Sequence, residues 1–128
     1  MNMLTAMFRP HRRDAAVRSC ESWLAQHFRE PGAVARAVDH ARIPERTLKR
    51  RFKAATGLAL IDYLQGLRIE EAKRLLEAGE RPAEDVSAEV GYEDASFFRR
   101  LFRRTTGLSP GQYRRMFGTM PTPGRAAG

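Results

Sequence analysis

Arg46, Lys49, Arg50 and Lys53 fall at spacings of three and four, and Ser96, Arg99, Arg100 and Arg103 repeat that spacing fifty residues later. On an α-helix such positions share one face, so each set, if helical, makes a mainly cationic strip. The chemistry such a strip offers is capture of a polyanion. Arginine forks onto phosphate or onto the acceptor edge of guanine, and lysine meets phosphate as a point charge. Leu48 and Phe52, like Phe98 and Phe102, point roughly the other way. Each helix therefore buries an apolar edge and turns its charge outward.

Other chemistries find no footing. Three histidines are scattered, and His27 and His40 have no carboxylate or cysteine at ligand spacing, so no metal site is expected. Cys20 lies on a buried stripe and reads as a small apolar filler; as the single cysteine it can form no internal disulfide. Glu70-Glu71 and Glu84-Asp85 are surface helix charges rather than an acid/base pair. No phosphate loop and no nucleophile–base pairing is readable, so neither an enzyme nor a cofactor is expected.

The whole chain carries the same bias. Its 128 residues hold 23 Lys and Arg, 20 of them Arg, against 15 acids, for a net charge of +8. A sequence pI near 10.7 favours nucleic acid as partner. Charge alone would also suit an anionic membrane surface, so the decision rests on where the charges sit. No apolar run approaches ~18 residues, so no segment spans a bilayer. The basic residues of MNMLTAMFRPHRRD follow its short apolar stretch, the reverse of a secretory signal. A reducing, bacterial-type cytoplasm is the expected location.

The elements that must hold these strips are all helical, since apolar residues recur at three and four and strict alternation is absent. A first helix is expected over about 14–28, with Val17, Cys20, Leu24 and Phe28 on one stripe, then a short one over 33–41 after Pro31-Gly32. Pro44 can open the third as its first residue, and Gly57 should end it in a left-handed conformation. A long fourth helix spans about 59–78 and closes at Gly79. Pro82 opens a fifth with Glu84 and Asp85 in its first turn, and Gly91 ends it. A sixth runs from Asp94 to Gly107, and Ser109-Pro110 reads as a cap and first residue of a seventh ending at Gly118. Residues 1–13 and 119–128 read as disordered tails. The domains expected are 14–58, a linker helix over 59–79, and 80–118.

Aligning the chain on itself with an offset of 50 places LKRRFKAATGLALIDY on FRRLFRRTTGLSPGQY. Phe52 meets Phe102, Thr56 meets Thr106, Gly57 meets Gly107, and Tyr63 meets Tyr113. In each copy a short helix and a three- to four-residue turn precede the cationic helix. A helix, a tight turn and a basic helix form a helix-turn-helix, whose second helix fits the major groove of B-DNA. Solvated faces of two ordinary amphipathic helices are the bland alternative, and the repeated charge at equal phase argues against it. A non-specific or RNA-binding protein is disfavoured because most aromatics lie at core phase rather than exposed for stacking.

The stretch from Pro82 to Arg114 resembles the DNA-binding domain of the AraC/XylS transcription regulators. The matching positions are Pro82, Val86, Ser87, Val90, Gly91, Tyr92, Asp94, Ser96, Phe98, Arg100, Phe102, Arg103, Gly107, Ser109, Pro110, Tyr113 and Arg114, and the likeness extends over about 17–117. It implies an all-α fold of seven helices, with two homeodomain-like helix-turn-helix subdomains joined by the long helix. It implies a cytoplasmic, sequence-specific regulator of transcription whose recognition helices, about 44–56 and 94–106, enter adjacent major-groove segments of double-stranded DNA about one turn (~34 Å) apart. RNA polymerase is a second expected partner. Base contacts fall to Arg46, Lys49 and Arg50 in the first unit and to Ser96, Arg99 and Arg100 in the second. Phosphate contacts fall to Arg51, Lys53, Arg103, Arg104 and the helix N-terminus at Ser109. No sensory or dimerisation domain is legible in the chain, so a monomer is expected.

The first unit departs from the family pattern. Ala37-Val38-Asp39-His40-Ala41-Arg42 stands where Leu-Ala-x-x-Ala-Gly is usual. Large and small packing positions are swapped, and Arg42 must take the left-handed turn conformation itself. The second unit is therefore expected to carry more of the specificity. Arg68, inside the stripe of Ile61, Leu64, Ala72 and Leu75, reads as a paired structural arginine; Trp23, Tyr63 and Tyr113 read as core or hinge packing.

Overall fold

The structure, a computed structural model, describes residues 14–119. The expectation for residues 1–13, and that for the tail beyond Thr119, lie outside them. Seven helices and no strand occur among the described residues: α1 (Ala15–His27), α2 (Ala33–Ala41), α3 (Glu45–Thr56), α4 (Leu60–Ala78), α5 (Ala83–Glu89), α6 (Ala95–Thr106) and α7 (Pro110–Phe117). No helix among them is long and apolar enough to cross a membrane.

Local chemistry accounts for most boundaries. Asp14 caps α1, its Oδ1 accepting from the Val17 N–H at 3.1 Å. Gly57 and Gly107 end α3 and α6 in nearly the same left-handed conformation, φ 81° and 83°. The threonines just before them repeat as well. Thr56 Oγ1 donates to the Phe52 carbonyl at 2.8 Å and accepts from the Leu58 N–H at 3.0 Å; Thr106 does the same with Phe102 and Leu108 at 2.8 and 3.1 Å. The Thr-Gly-Leu repeat is thus one cap built twice.

Pro44 and Pro82 stand one position earlier than expected. Both are caps with extended ψ, 141° and 152°, rather than first helical residues. Each carbonyl still accepts the first helical bond, from Leu48 and Val86, so the missing proline N–H leaves nothing unsatisfied.

The chain forms two compact units, the first ending at Arg68 and the second beginning at Ile69. The division lies inside α4 and not at its ends. In the first unit α1, α2, α3 and the leading part of α4 surround Val17, Leu24, Leu48, Phe52, Leu60 and Tyr63. In the second the trailing part of α4 with α5 and α6 encloses Ile69, Leu76, Val86, Phe98 and Phe102. Tyr63 meets Phe52 edge-on at 5.1 Å, and Tyr113 meets Phe102 edge-on at 5.5 Å. Core packing for both tyrosines follows from these contacts.

Other side chains are placed differently from the periodicity. Ile61 is 49% exposed, and Leu75 is half-buried. Trp23 is half-buried and stacks on His27 at 4.4 Å. His27 does have a carboxylate partner, since its Nδ1 pairs with Glu30 in the turn just beyond α1. Arg68 is buried and donates to the carbonyls of Phe28 and Glu30 at 2.6 and 2.9 Å. It closes the C-terminal end of α1 through these main-chain acceptors. Thr119, expected in a loose tail, donates to the Glu77 carbonyl through both its N–H and its hydroxyl.

Candidate nucleic-acid interface

In the first unit α2 is joined to α3 by residues 42–44. Arg42 there adopts φ 58°, ψ 30°, the left-handed conformation expected of the residue replacing glycine. In the first core the swapped pair packs with Ala37 fully buried and Val38 only partly covered. The small residue has taken the core position.

The second connection is longer than the three to four residues expected, running over 90–94 between α5 and α6. Gly91 supplies φ 107°. Buried Ser87 holds the loop by donating its hydroxyl to the Tyr92 carbonyl at 2.8 Å. Asp94 then caps α6, accepting from the N–H groups of Ser96 and Phe97 at 2.9 and 3.2 Å.

Each basic helix turns its strip outward. Arg46, Lys49, Arg50 and Lys53 on α3 are exposed, as are Ser96, Arg100, Arg103 and Arg104 on α6, while Leu48, Phe52, Phe98 and Phe102 are fully buried. Among the described residues Arg46, Arg50, Lys53, Arg100, Arg103 and Arg104 make no ion pair with a carboxylate. Unengaged guanidinium groups at one helical phase are the state from which a phosphate or base contact needs no prior exchange.

Lys49, Arg99, Arg51 and Ser109 are already engaged. Lys49 pairs with Glu45 one turn back at 2.8 Å, and Arg99 pairs with Glu84 of α5. The backbone N–H at Glu84 and the Arg99 cation hold that carboxyl below the usual range. Exposed pairs of this sort contribute little, so a polyanion can replace the acid cheaply. Arg51 differs. Its Nε and Nη2 fork onto Asp14 at 2.9 and 2.8 Å, tying α3 to the cap of α1. That geometry favours a brace over the phosphate contact expected of it.

At α7, Ser109 and Gln112 form a reciprocal capping box: the serine hydroxyl accepts from the Gln112 N–H, and the Gln112 side chain accepts from the Ser109 N–H. Pro110 has no N–H. In this first turn the Gly111 N–H is the donor left for an anion, a narrower offer than the run of amides expected at Ser109. Arg114, read from sequence only as a matching position, binds the carbonyls of Leu76 and Arg81 and so anchors α7 beside the end of α4. Phe97 escaped notice although its spacing to Arg100 and Arg104, three and seven residues, gave its phase; it is 37% exposed beside the strip.

A helix-turn-helix domain model matches residues 37–116, from within α2 to within α7. The chain belongs to the AraC/XylS family of helix-turn-helix regulators. A relative, the HTH-type transcriptional activator RhaR of Escherichia coli K12, is 34% identical over 93 residues, 73% of this chain and 33% of the relative. The chain thus spans about a third of the length of the curated relatives it matches. Among solved structures, the C-terminal domain of AraT, a response regulator from Geobacillus stearothermophilus, superposes with a TM-score of 0.80 at 27% identity, covering 84% of this chain and 89% of that one. The DNA-binding domain of AdpA, a global transcriptional factor solved in complex with a target DNA, gives 0.75 at 30% identity over 81% and 94% of the two chains.

Proposed function

We propose that this chain binds double-stranded DNA sequence-specifically and regulates transcription, with α3 and α6 each entering the major groove of its own half-site. The observation that carries the reading is the twice-built helix-turn-helix whose second helix presents unengaged arginines outward and an aromatic edge inward. The DNA-bound state of the AdpA domain supports it. Arg46 and Arg50, with Lys49 once released from Glu45, read bases in the first half-site. Arg100, Ser96 and Arg99 read them in the second, where arginine can fork onto guanine O6 and N7. Lys53, Arg103 and Arg104 hold phosphates and fix the register. Catalysis forms no part of this reading. Activation, the role RhaR is named for, would add RNA polymerase as a second partner, and the work would be done in the cytoplasm.

Selection of bound duplexes from a random pool at fixed salt tests this. A consensus long enough for two half-sites is expected, with specific binding surviving about 10³-fold excess random DNA. Equal displacement by any duplex would make the chain a non-specific basic protein instead.

A further inference from the structure

Phe97 is a large apolar side chain on the flank of a strip otherwise made of serine and arginine. It is the third residue of α6, and its spacing to Arg100 and Arg104 sets it along one edge of their face. The residue is 37% exposed. It is also held in place: its N–H donates to the Asp94 cap at 3.2 Å, and its ring lies tilted against Tyr92 at 5.6 Å. The core itself is filled by Phe98, Leu101 and Phe102, and Phe97 lies outside it against Tyr92. The opening turn of a recognition helix is the part that meets base edges, and the apolar feature displayed there is the C5-methyl group of thymine. Fifty residues earlier the matching position is Thr47, half-buried, so the second unit presents far more apolar surface at this point than the first.

We propose that Phe97 is a specificity-determining residue that covers a thymine methyl beside the base read by Arg100. The proposal rests on the DNA-binding reading above and adds one base to what the second unit recognises. Its test uses the full chain and the duplex it selects from a random pool, with each thymine replaced in turn by deoxyuridine, which removes only the methyl group. In the wild-type chain one replacement should weaken binding about fourfold, the effect of one methyl-sized group returned to water. That thymine should lie within a base pair or two of the position at which Arg100→Ala loses discrimination. Phe97→Ala should bind its selected duplex more weakly and be indifferent to the same replacement. Phe97→Leu, which keeps an apolar side chain at the site, should retain part of the methyl sensitivity. Equal responses of wild type and Phe97→Ala at every thymine overturn the proposal, and so does a second half-site without thymine near the Arg100 base. If Phe97→Ala loses helicity, Phe97→Leu decides, and indifference to the methyl in that variant is equally fatal. A pool that yields no consensus would instead remove the DNA-reading premise itself.

Discussion

At the scale of single residues, exposure and pairing separate roles that charge alone leaves mixed. Arg100 and Arg103 are both exposed cations on α6, yet Arg100 lies nearer the helix N-terminus, where bases are met. Arg100→Ala should cost about tenfold or more in affinity for the selected duplex and relax the preference at one base pair. Arg103→Ala should weaken all duplexes alike and lower the salt slope by about one. Competition assays at two salt concentrations distinguish these outcomes. Arg50→Ala should lose less discrimination than Arg100→Ala, because the swapped packing of Ala37 and Val38 alters how α3 is presented; the reverse order would give the leading role to the first unit. The outward phase of these groups was legible because 3.6-residue periodicity determines which positions can be wet. The fork between Arg51 and Asp14 was not, since it joins positions 37 apart that meet only when α1 crosses α3. Local spacing sets Arg51 off the strip that holds Arg50, but it does not name Asp14 as its partner.

At the scale of elements, capping and burial govern stability. Arg42 is the only non-glycine residue among the described ones with positive φ, and its Cβ carries the strain of that conformation. Arg42→Gly should stabilise the first unit by about 1 kcal/mol, a rise in the urea midpoint without a change in slope. Glu21 on α1 behaves differently. Burial pushes its carboxyl up to about 7, so the folded chain holds a proton there that the unfolded chain gives up at its ordinary value of 4.5. Its contribution is intact below pH 4.5 and falls away as pH climbs toward 7. Glu21→Gln should flatten that decline in thermal midpoint between pH 5 and 7.5, on the order of the window the shift defines; an unchanged profile would show the decline arises elsewhere. Helix ends marked by glycine or by Ser109-Pro110 were readable because the residue types themselves impose the geometry. Pro44 and Pro82 were displaced by one position because proline's φ suits both the cap and the first helical turn, and only ψ, fixed by the incoming turn, tells them apart. The second turn exceeded its expected length for a related reason: Ser87 and Gly91 sustain an extra bend that no periodicity records.

At the scale of the whole molecule, the net charge of +8 should make DNA affinity steeply dependent on salt. If six or more phosphates are neutralised, raising salt from about 50 to 200 mM should weaken binding about 10³-fold; a flat titration by fluorescence anisotropy would contradict a backbone-anchored mode. The doubling of the motif was visible in the sequence from the paired Thr-Gly-Leu segments, but the place where one half gives way to the other was not. Glycines at 57 and 79 bracket α4 and make it look like a separate piece, whereas its side chains complete two interiors: Leu60, Tyr63, Leu64 and Leu67 complete one, and Ile69, Ala72 and Leu76 the other. This bears on anyone wishing to recombine halves from different regulators. A seam cut in the loops at either end of that rod would graft foreign side chains into a native interior. The compatible seam lies within the rod, between Arg68, whose bonds run back to Phe28 and Glu30, and Ile69. A hybrid spliced there inherits each interior whole from a single parent.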